Sequence, residues 1–291
     1  MARSARASGG RPLRQIRVAV VGHIESGDFL RVDHLPSAGD IVHAEESWEE
    51  PAGGGTDAAV QLAKLAGGAL FFTALGDDRI GHRALQELQQ MGLRVHTRFR
   101  PEPSRRAITH IDSGGERTIT IVGNRLAPRA SDPLPWDELA ETDAVFITAG
   151  DAEALCLARR ARVVVATARI VPLLREAGIE LDAIVGSQND PAEAYAEGDL
   201  DPAPRLVVRT AGEDGGTFTV RGEGPTAFQA VPPPGPEVDR YGAGDSFAGG
   251  LTYGLGAGLA PADAVHLASR CGAAVVTGRG PFATQLRAAD L

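Results

Sequence analysis

Residues 238–250 read Val-Asp-Arg-Tyr-Gly-Ala-Gly-Asp-Ser-Phe-Ala-Gly-Gly, a glycine-rich turn that carries one carboxylate, Asp245, into an apolar helical segment. Small residues let successive backbone N–H groups converge on an anion, and the helix N-terminus adds partial positive charge. This is the chemistry of phosphoryl transfer to an alcohol: the N–H groups of Ala243, Gly244 and Asp245 would point into one small space, where Asp245 could take the proton of a hydroxyl. An aspartate near its ordinary pKa of about 3.9 is ionised at neutral pH and accepts that proton late, so no large shift is required. Aspartate is also a common helix cap, so the turn needs company before it means catalysis.

The rest of the chain narrows the field. With 291 residues and 43% hydrophobic content it can bury a sizeable core, as one large α/β domain or two smaller ones. A net charge of −9, with no dense basic run beyond the first seventeen residues, argues against nucleic acid or an anionic membrane as partner and for a small molecule. No apolar stretch has the length needed to span a bilayer. Cys156 and Cys271 lie far apart in apolar, helix-like surroundings, which reads as buried thiols in a reducing cytoplasm. Lys64 is the only lysine. A Walker A loop is therefore excluded, and so is a Rossmann dehydrogenase, because no GxGxxG follows the first apolar run at 16–21.

Positioning the turn requires a scaffold, and the sequence supplies alternating β-branched runs and Ala/Leu-rich helical patterns, the signature of βαβ units around a largely parallel sheet. Core strands are expected at 16–21, 70–74, 144–148, 162–166, 183–186 and 205–209. Helices are expected at 57–66, 80–91, 152–160, 171–177, 244–254 and 261–276. Two stretches break the rhythm: 28–48 reads as extended segments around Pro36-Ser37-Ala38-Gly39, and 107–122 as a hairpin over Ser113-Gly114-Gly115. Strands inserted beyond the C-terminal edge of a parallel sheet would cover the crevice where ligands bind, so they are read as a lid. Residues 1–15, basic and small, read as a disordered N-terminal tail.

Three ordered signatures give the chain a resemblance to the PfkB/ribokinase family of carbohydrate kinases, from about residue 16 to residue 280. The late one is Asp239 to Asp245, with Arg240 and Tyr241 in place of small or hydroxylated residues; it implies Asp245 as the base and Gly242, Ala243 and Gly244 as the anion hole. The early one is Ala52-Gly53-Gly54-Gly55-Thr56-Asp57, with Asp57 where the family usually has Asn; between them stands Gly76-Asp77-Asp78-Arg79-Ile80-Gly81. The resemblance implies an α/β fold, a three-layer α/β/α sandwich around a mostly parallel central sheet over residues 16–291, with a small β lid from about 28–50 and 106–123. It also implies ATP over the C-terminal half and Mg²⁺, with Asn189 and Glu193 in the place of the family's N-x-x-E element, one residue too far apart unless Asp190 substitutes. Thr210, Gly212 and Gly215 stand in a similar T-x-G-x-x-G nucleotide loop. A monovalent cation such as K⁺ carries over onto Asp239 and the backbone near Val276 and Arg279.

For the acceptor, the resemblance points to Glu25, Asp28, Asp33, Gly54 and Asp57, with Asp151 after the 144–148 strand as a further candidate. If Glu25, Asp57 and Asp151 converge, the pocket is strongly negative and selects a neutral sugar or polyol, since an anionic acceptor would need an arginine clamp; Arg105, Arg106 and Arg117 are the residues that could supply one from the lid. Two alternatives stay open. One is a nucleoside kinase, with Phe29 and Leu30 stacking on a base; the other is a sugar- or nucleotide-binding protein without turnover. Relatives often dimerise through their lids, and His34, Leu35 and Trp48 would then line a homodimer contact.

Overall fold

The computed structural model describes residues 16–291; the segment 1–15, read as a tail, lies outside the described residues. In chain order the elements are β1 (Val18–Val21), β2 (Glu25–Arg31), β3 (Glu46–Ala52), α1 (Gly54–Ala66), β4 (Ala69–Gly76), α2 (Arg79–Gln90), β5 (Leu93–Arg100), β6 (Arg106–Ile111) and β7 (Arg117–Val122). They continue with β8 (Ala144–Ile147), α3 (Ala152–Ala158), β9 (Val163–Thr167), α4 (Val171–Ala177), β10 (Ala183–Ser187), β11 (Leu206–Thr210), β12 (Gly216–Val220), β13 (Thr226–Phe228), α5 (Ala243–Gly256) and α6 (Pro261–Val275).

Nine strands form the central sheet in the order β13-β12-β11-β10-β9-β8-β1-β4-β5, parallel from β11 to β5 and antiparallel only at the β12 and β13 edge. The central strands carry near-continuous apolar runs because both of their faces are covered. Successive side chains of β1 divide between two cores: Val18 and Val20 pack with α1, α2, α5 and α6, while Ala19 and Val21 pack with α3 and α4. The result is three layers, helices on sheet on helices.

A second, four-stranded sheet has the order β3-β2-β6-β7. It has its own small core, with Phe29 of β2 fully buried against Ala52, Ile111 and Tyr241. The extended segments read at 28–48 are thus β2 and β3, set slightly outward at 25–31 and 46–52 with an irregular connection between them. Three strands are absent from the expected set, β5, β12 and β13, and α1 starts at Gly54, three residues before the expected helix. Of the two thiols Cys271 is buried, but Cys156 is exposed, because its helix turns that face to solvent. Among the described residues no helix is long and apolar enough to cross a membrane.

Chain direction sets where a ligand can sit. β1 lies between β4 and β8, so connections leave it toward opposite sides, and a crevice opens beyond the C-terminal ends of these strands. The small sheet and the start of α1 follow β1 directly, and α5 begins at the same end.

Candidate active site

Two helix N-termini meet in this crevice. α5 starts after Gly242, whose φ of 77° lies in the left-handed region and whose Cβ, if present, would be 2.8 Å from Pro281; only glycine fits both demands. The N–H groups of Ala243, Gly244 and Asp245 come before any acceptor in the helix, and no other described group takes them. Gly244 is exposed, with open space where a side chain would be. The turn is clasped from behind by the buried Asp239 carboxylate, which accepts N–H bonds from Tyr241 at 2.9 Å and Gly280 at 3.1 Å. α1 enters from the other side: a Cβ on Gly54 would sit 2.6 Å from Asp245 Oδ1, and one on Gly242 would sit 3.3 Å from Asp57 Oδ2.

Asp245, Asp57 and Glu25 are therefore brought together, but their electrostatics differ. Burial, then the charge of Glu193, pushes Asp245 up to about 6, against the pull of Arg117 and Arg169. Asp57 is fully buried and neither carboxylate oxygen has a hydrogen-bond partner; burial and the Asp245 charge raise it well above the ordinary range. Burial pushes Glu25 up as well, yet His23 and the charges of Arg105 and Arg125 outweigh it, and Glu25 titrates below an ordinary glutamate. Its Oε1 lies 2.8 Å from Arg105 Nε and 3.4 Å from His23 Nε2. Tyr241 closes the wall, its ring edge-on to Phe29 at 4.9 Å and under the Arg117 guanidinium at 5.7 Å. Burial and the charge of Asp57 hold its hydroxyl well above the ordinary tyrosine value.

On the nucleotide side expected from sequence, the loop after β10 lies beside the loop after β11: Gln188 N–H donates to Thr210 O at 2.8 Å, and a Cβ on Gly212 would sit 4.0 Å from Asn189 Nδ2. Gly212 otherwise faces open space. Gly215 has a different role, since a side chain there would run into the Phe228 carbonyl of the β12–β13 hairpin. Glu193 is fixed by the Ser187 N–H at 2.9 Å and by Arg169 at 2.7 Å, and Arg169 also holds Asp190 at 2.6 Å. Asp190, not Asn189, thus shares the arginine with Glu193.

Several expected residues stand elsewhere. Asp28 lies one residue out of phase with Glu25 and Gly27, so its carboxylate projects from the opposite face of the small sheet and pairs with Arg106. Asp33 is exposed and contacts His34. Asp151 caps α3, one oxygen accepting from Ala154 N at 2.8 Å and Ala130 N at 3.1 Å. The negative pocket expected from Glu25, Asp57 and Asp151 is therefore not built, because Glu25 is neutralised by Arg105 and Asp151 is spent on a helix. At the set expected for a monovalent cation, the Asp239 carboxylate accepts backbone N–H groups from Tyr241 and Gly280, the Val276 carbonyl accepts those of Val238 and Asp239, and the Arg279 side chain turns away to Glu46.

Residues that the sequence reading did not place at the site include His23, Arg125 and Arg169. Each follows a β-branched run or a glycine turn, at strand ends where ligands of parallel sheets bind, and that position was the available signal. Asp57 yields a stability test. Its folded value is raised above the unfolded value of about 3.9, so the carboxyl costs nothing below that pH and destabilises increasingly as pH rises through the folded value. Asp57→Asn should therefore unfold about 1 kcal/mol harder than wild type at pH 8, the gain vanishing toward pH 4; urea melts across this range measure it.

Comparison with known proteins agrees with this geometry. The profile of the pfkB family carbohydrate kinases matches residues 15–172 and 178–286. An ATP-dependent ribose-1-phosphate kinase of Halopiger xanaduensis is 27% identical over 282 residues, 89% of this chain and 91% of that protein. The ribokinase of Arabidopsis thaliana is 21% identical, over 90% of this chain and 76% of its own length. Among solved structures, a putative ribokinase from Agrobacterium tumefaciens superposes with a TM-score of 0.81 at 22% identity, covering 95% of this chain and 96% of that one, which shows the shared fold. With two helix N-termini converging on a carboxylate and the family pattern spanning nearly its whole length, the chain belongs to the pfkB family of carbohydrate kinases, ATP-dependent phosphotransferases with an alcohol group as acceptor.

Proposed function

We propose that the crevice where α1 and α5 meet transfers the γ-phosphoryl group of ATP to a hydroxyl on the neutral end of a sugar or polyol, with Asp245 as general base. The observation that carries the reading is a carboxylate on the first turn of a helix whose leading N–H groups are unused, facing the N-terminus of a second helix.

The acceptor hydroxyl hydrogen-bonds to Asp245. As its oxygen forms the new P–O bond, the bond from the γ-phosphorus to the bridging oxygen breaks, ADP departs, and the proton ends on Asp245. The N–H groups of Ala243, Gly244 and Asp245, with the positive end of α5, stabilise charge on the equatorial oxygens of the moving group. Asp57, held up by burial, offers an O–H to an acceptor oxygen rather than a second full charge. Arg169 stands within electrostatic reach of Asp245 and would meet the phosphates, while the loops at 187–193 and 210–215 take the nucleotide over Thr210 and Gly212. Glu193 and Asp190, gathered beside these loops by Arg169, are the hard oxygen donors that would suit a hydrated divalent cation. Mg²⁺ carried on the nucleotide would offset phosphate charge there, its water shell meeting Glu193 and Asp190.

The small sheet acts as the lid of this crevice, contributing Glu25 of β2 and, within electrostatic reach of Asp57, Glu50 of β3. A nucleoside acceptor finds less support: Phe29 is sandwiched between Trp48 and Tyr241 and has no face left for a base. For a homodimer through the lid, β7 offers the surface, since it is exposed along its whole length, whereas Trp48 is stacked between Phe29 and Arg279.

Three outcomes test the proposal in an ADP-release assay with Mg²⁺. Asp245→Asn should lower kcat by at least about 10²-fold while nucleotide affinity stays nearly unchanged; unchanged turnover removes the base assignment. Wild-type kcat/KM should fall about tenfold per pH unit below a pKa of about 6, because the base must be ionised, and a limb near 4 contradicts the raised carboxyl. Gly54→Ala should cost about 10-fold or more in kcat by displacing Asp245 Oδ1 while leaving the melting temperature within a few degrees of wild type.

A further inference from the structure

Arginines in this chain are almost all engaged, and the exceptions sort cleanly. Among the described residues, Arg79, Arg98, Arg125 and Arg129 make no side-chain hydrogen bond or ion pair, and all but Arg125 are exposed. Arg125 is half-buried, and its Nε is sealed from solvent without a partner. A half-buried guanidinium that keeps its terminal N–H groups free of any protein partner is costly to hold in place, and a site that binds an anion is a common reason to keep one.

Its surroundings say what it faces. Arg100, Glu102, Arg125, Arg129, Gly150 and Asp151 line a cavity of about 240 Å³, large enough for a carboxylate or phosphate with part of a carbon chain. Two of these charges are already committed: Arg100 to Asp132 at 2.7 Å, and Asp151 to the backbone at the start of α3. That leaves Arg125 and Arg129 against Glu102. Arg125 also lies within electrostatic reach of His23, Glu25, Arg105 and Arg169, and burial together with Arg105 holds its own pKa down. Leu126 lines both this cavity and the cleft that holds Glu25 and Arg105, and Glu25 and Asp245 lie against adjacent glycines, 3.1 Å from a Cβ on Gly53 and 2.6 Å from one on Gly54, so this cavity leads toward the reacting end of the crevice.

The crevice is therefore polar along its length, acidic at Asp57 and Asp245 and basic at Arg125. We infer that the acceptor carries an anionic group, a carboxylate or a phosphate, at the end away from its reacting hydroxyl, and that Arg125 is the residue that anchors it. This rests on the kinase reading above and replaces the wholly neutral acceptor, whose premise was a set of free carboxylates that the structure pairs or spends.

The test compares wild type, Arg125→Gln and Arg125→Lys on matched neutral and anionic acceptors with ATP and Mg²⁺: glucose with gluconate, and fructose with fructose 6-phosphate. Wild type should favour an anionic member at least about 10-fold in kcat/KM; Arg125→Gln should lose that preference through KM with kcat little changed, and Arg125→Lys should keep part of it. Which anionic member wins separates carboxylate from phosphate. Turnover of the neutral members with no anionic preference, or a preference that survives in Arg125→Gln, overturns the inference and leaves the kinase intact. If no acceptor turns over, titration calorimetry of the free protein with gluconate and with inorganic phosphate decides. Binding weakened at least about 10-fold in Arg125→Gln supports the site. Binding equal in both proteins, which would place the anion at α5, or no binding to wild type, overturns it.

Discussion

Two carboxylates face each other across the junction of α1 and α5, and much of the architecture serves to hold them there. Asp57 sits in the first turns of α1, fully buried, and Asp245 in the first turn of α5. Placing both requires the helices to approach more closely than ordinary side chains allow. Gly249 of α5 packs on the Ala58 carbonyl, where a Cβ would come within 3.0 Å, and Gly250 and Gly254 do the same against α6. Gln285 then bridges the pair, its Nε2 donating to Asp57 O at 2.9 Å and to Ser246 Oγ at 3.0 Å. Burying two like charges opposes folding, and the converging N-terminal ends of both helices are the compensation at hand. A purely structural packing would not keep an acid with both oxygens unpaired at such a place.

Besides the direct run of β3 into α1, a chain of rings ties the small sheet to this junction. Arg279 lies 4.3 Å over Trp48, Trp48 stacks on Phe29 at 5.0 Å, Phe29 meets Tyr241 edge-on, and Arg117 covers the far face of Tyr241. Arg117 also donates to the Arg240 carbonyl at 2.8 Å, on the glycine turn itself. Tyr241 stands where the family has a small or hydroxylated residue, and its size gives the sheet something to grip. The same stack leaves Phe29 fully buried, with no open face.

What could be read from the sequence followed from local rules. The glycine turn announced α5 because only glycine accepts the φ of 77° at Gly242, and the buried parallel strands announced themselves as β-branched runs. β5 was hidden: Leu93–Arg100 alternates apolar with Arg and His because it is an edge strand, and that pattern has no apolar run to find. Asp28 was misplaced by the period of two along a strand, where one residue decides the face. Pairings between distant segments, such as Arg105 with Glu25 and Arg169 with Glu193, are set by tertiary contact and leave no local trace.

Those unseen pairings change the character of the site. Taken as a list, Glu25, Asp57, Asp245, Asp190 and Glu193 describe an acidic hole that would repel any nucleotide. Folded, Arg105 neutralises Glu25, and Arg169 gathers Asp190 and Glu193, which leaves Asp57 and Asp245 as the acids without an ion pair among these five. Both of these are raised by burial, so the free protein reaches neutral pH with only part of the negative charge that its sequence suggests. Field strength in a desolvated crevice depends on which charges are paired more than on how many there are. An anion-binding turn can therefore operate beside five carboxylates, because three of them are bound to arginine and Asp57 is held back from ionising, which leaves Asp245 as the one that ionises near neutral pH.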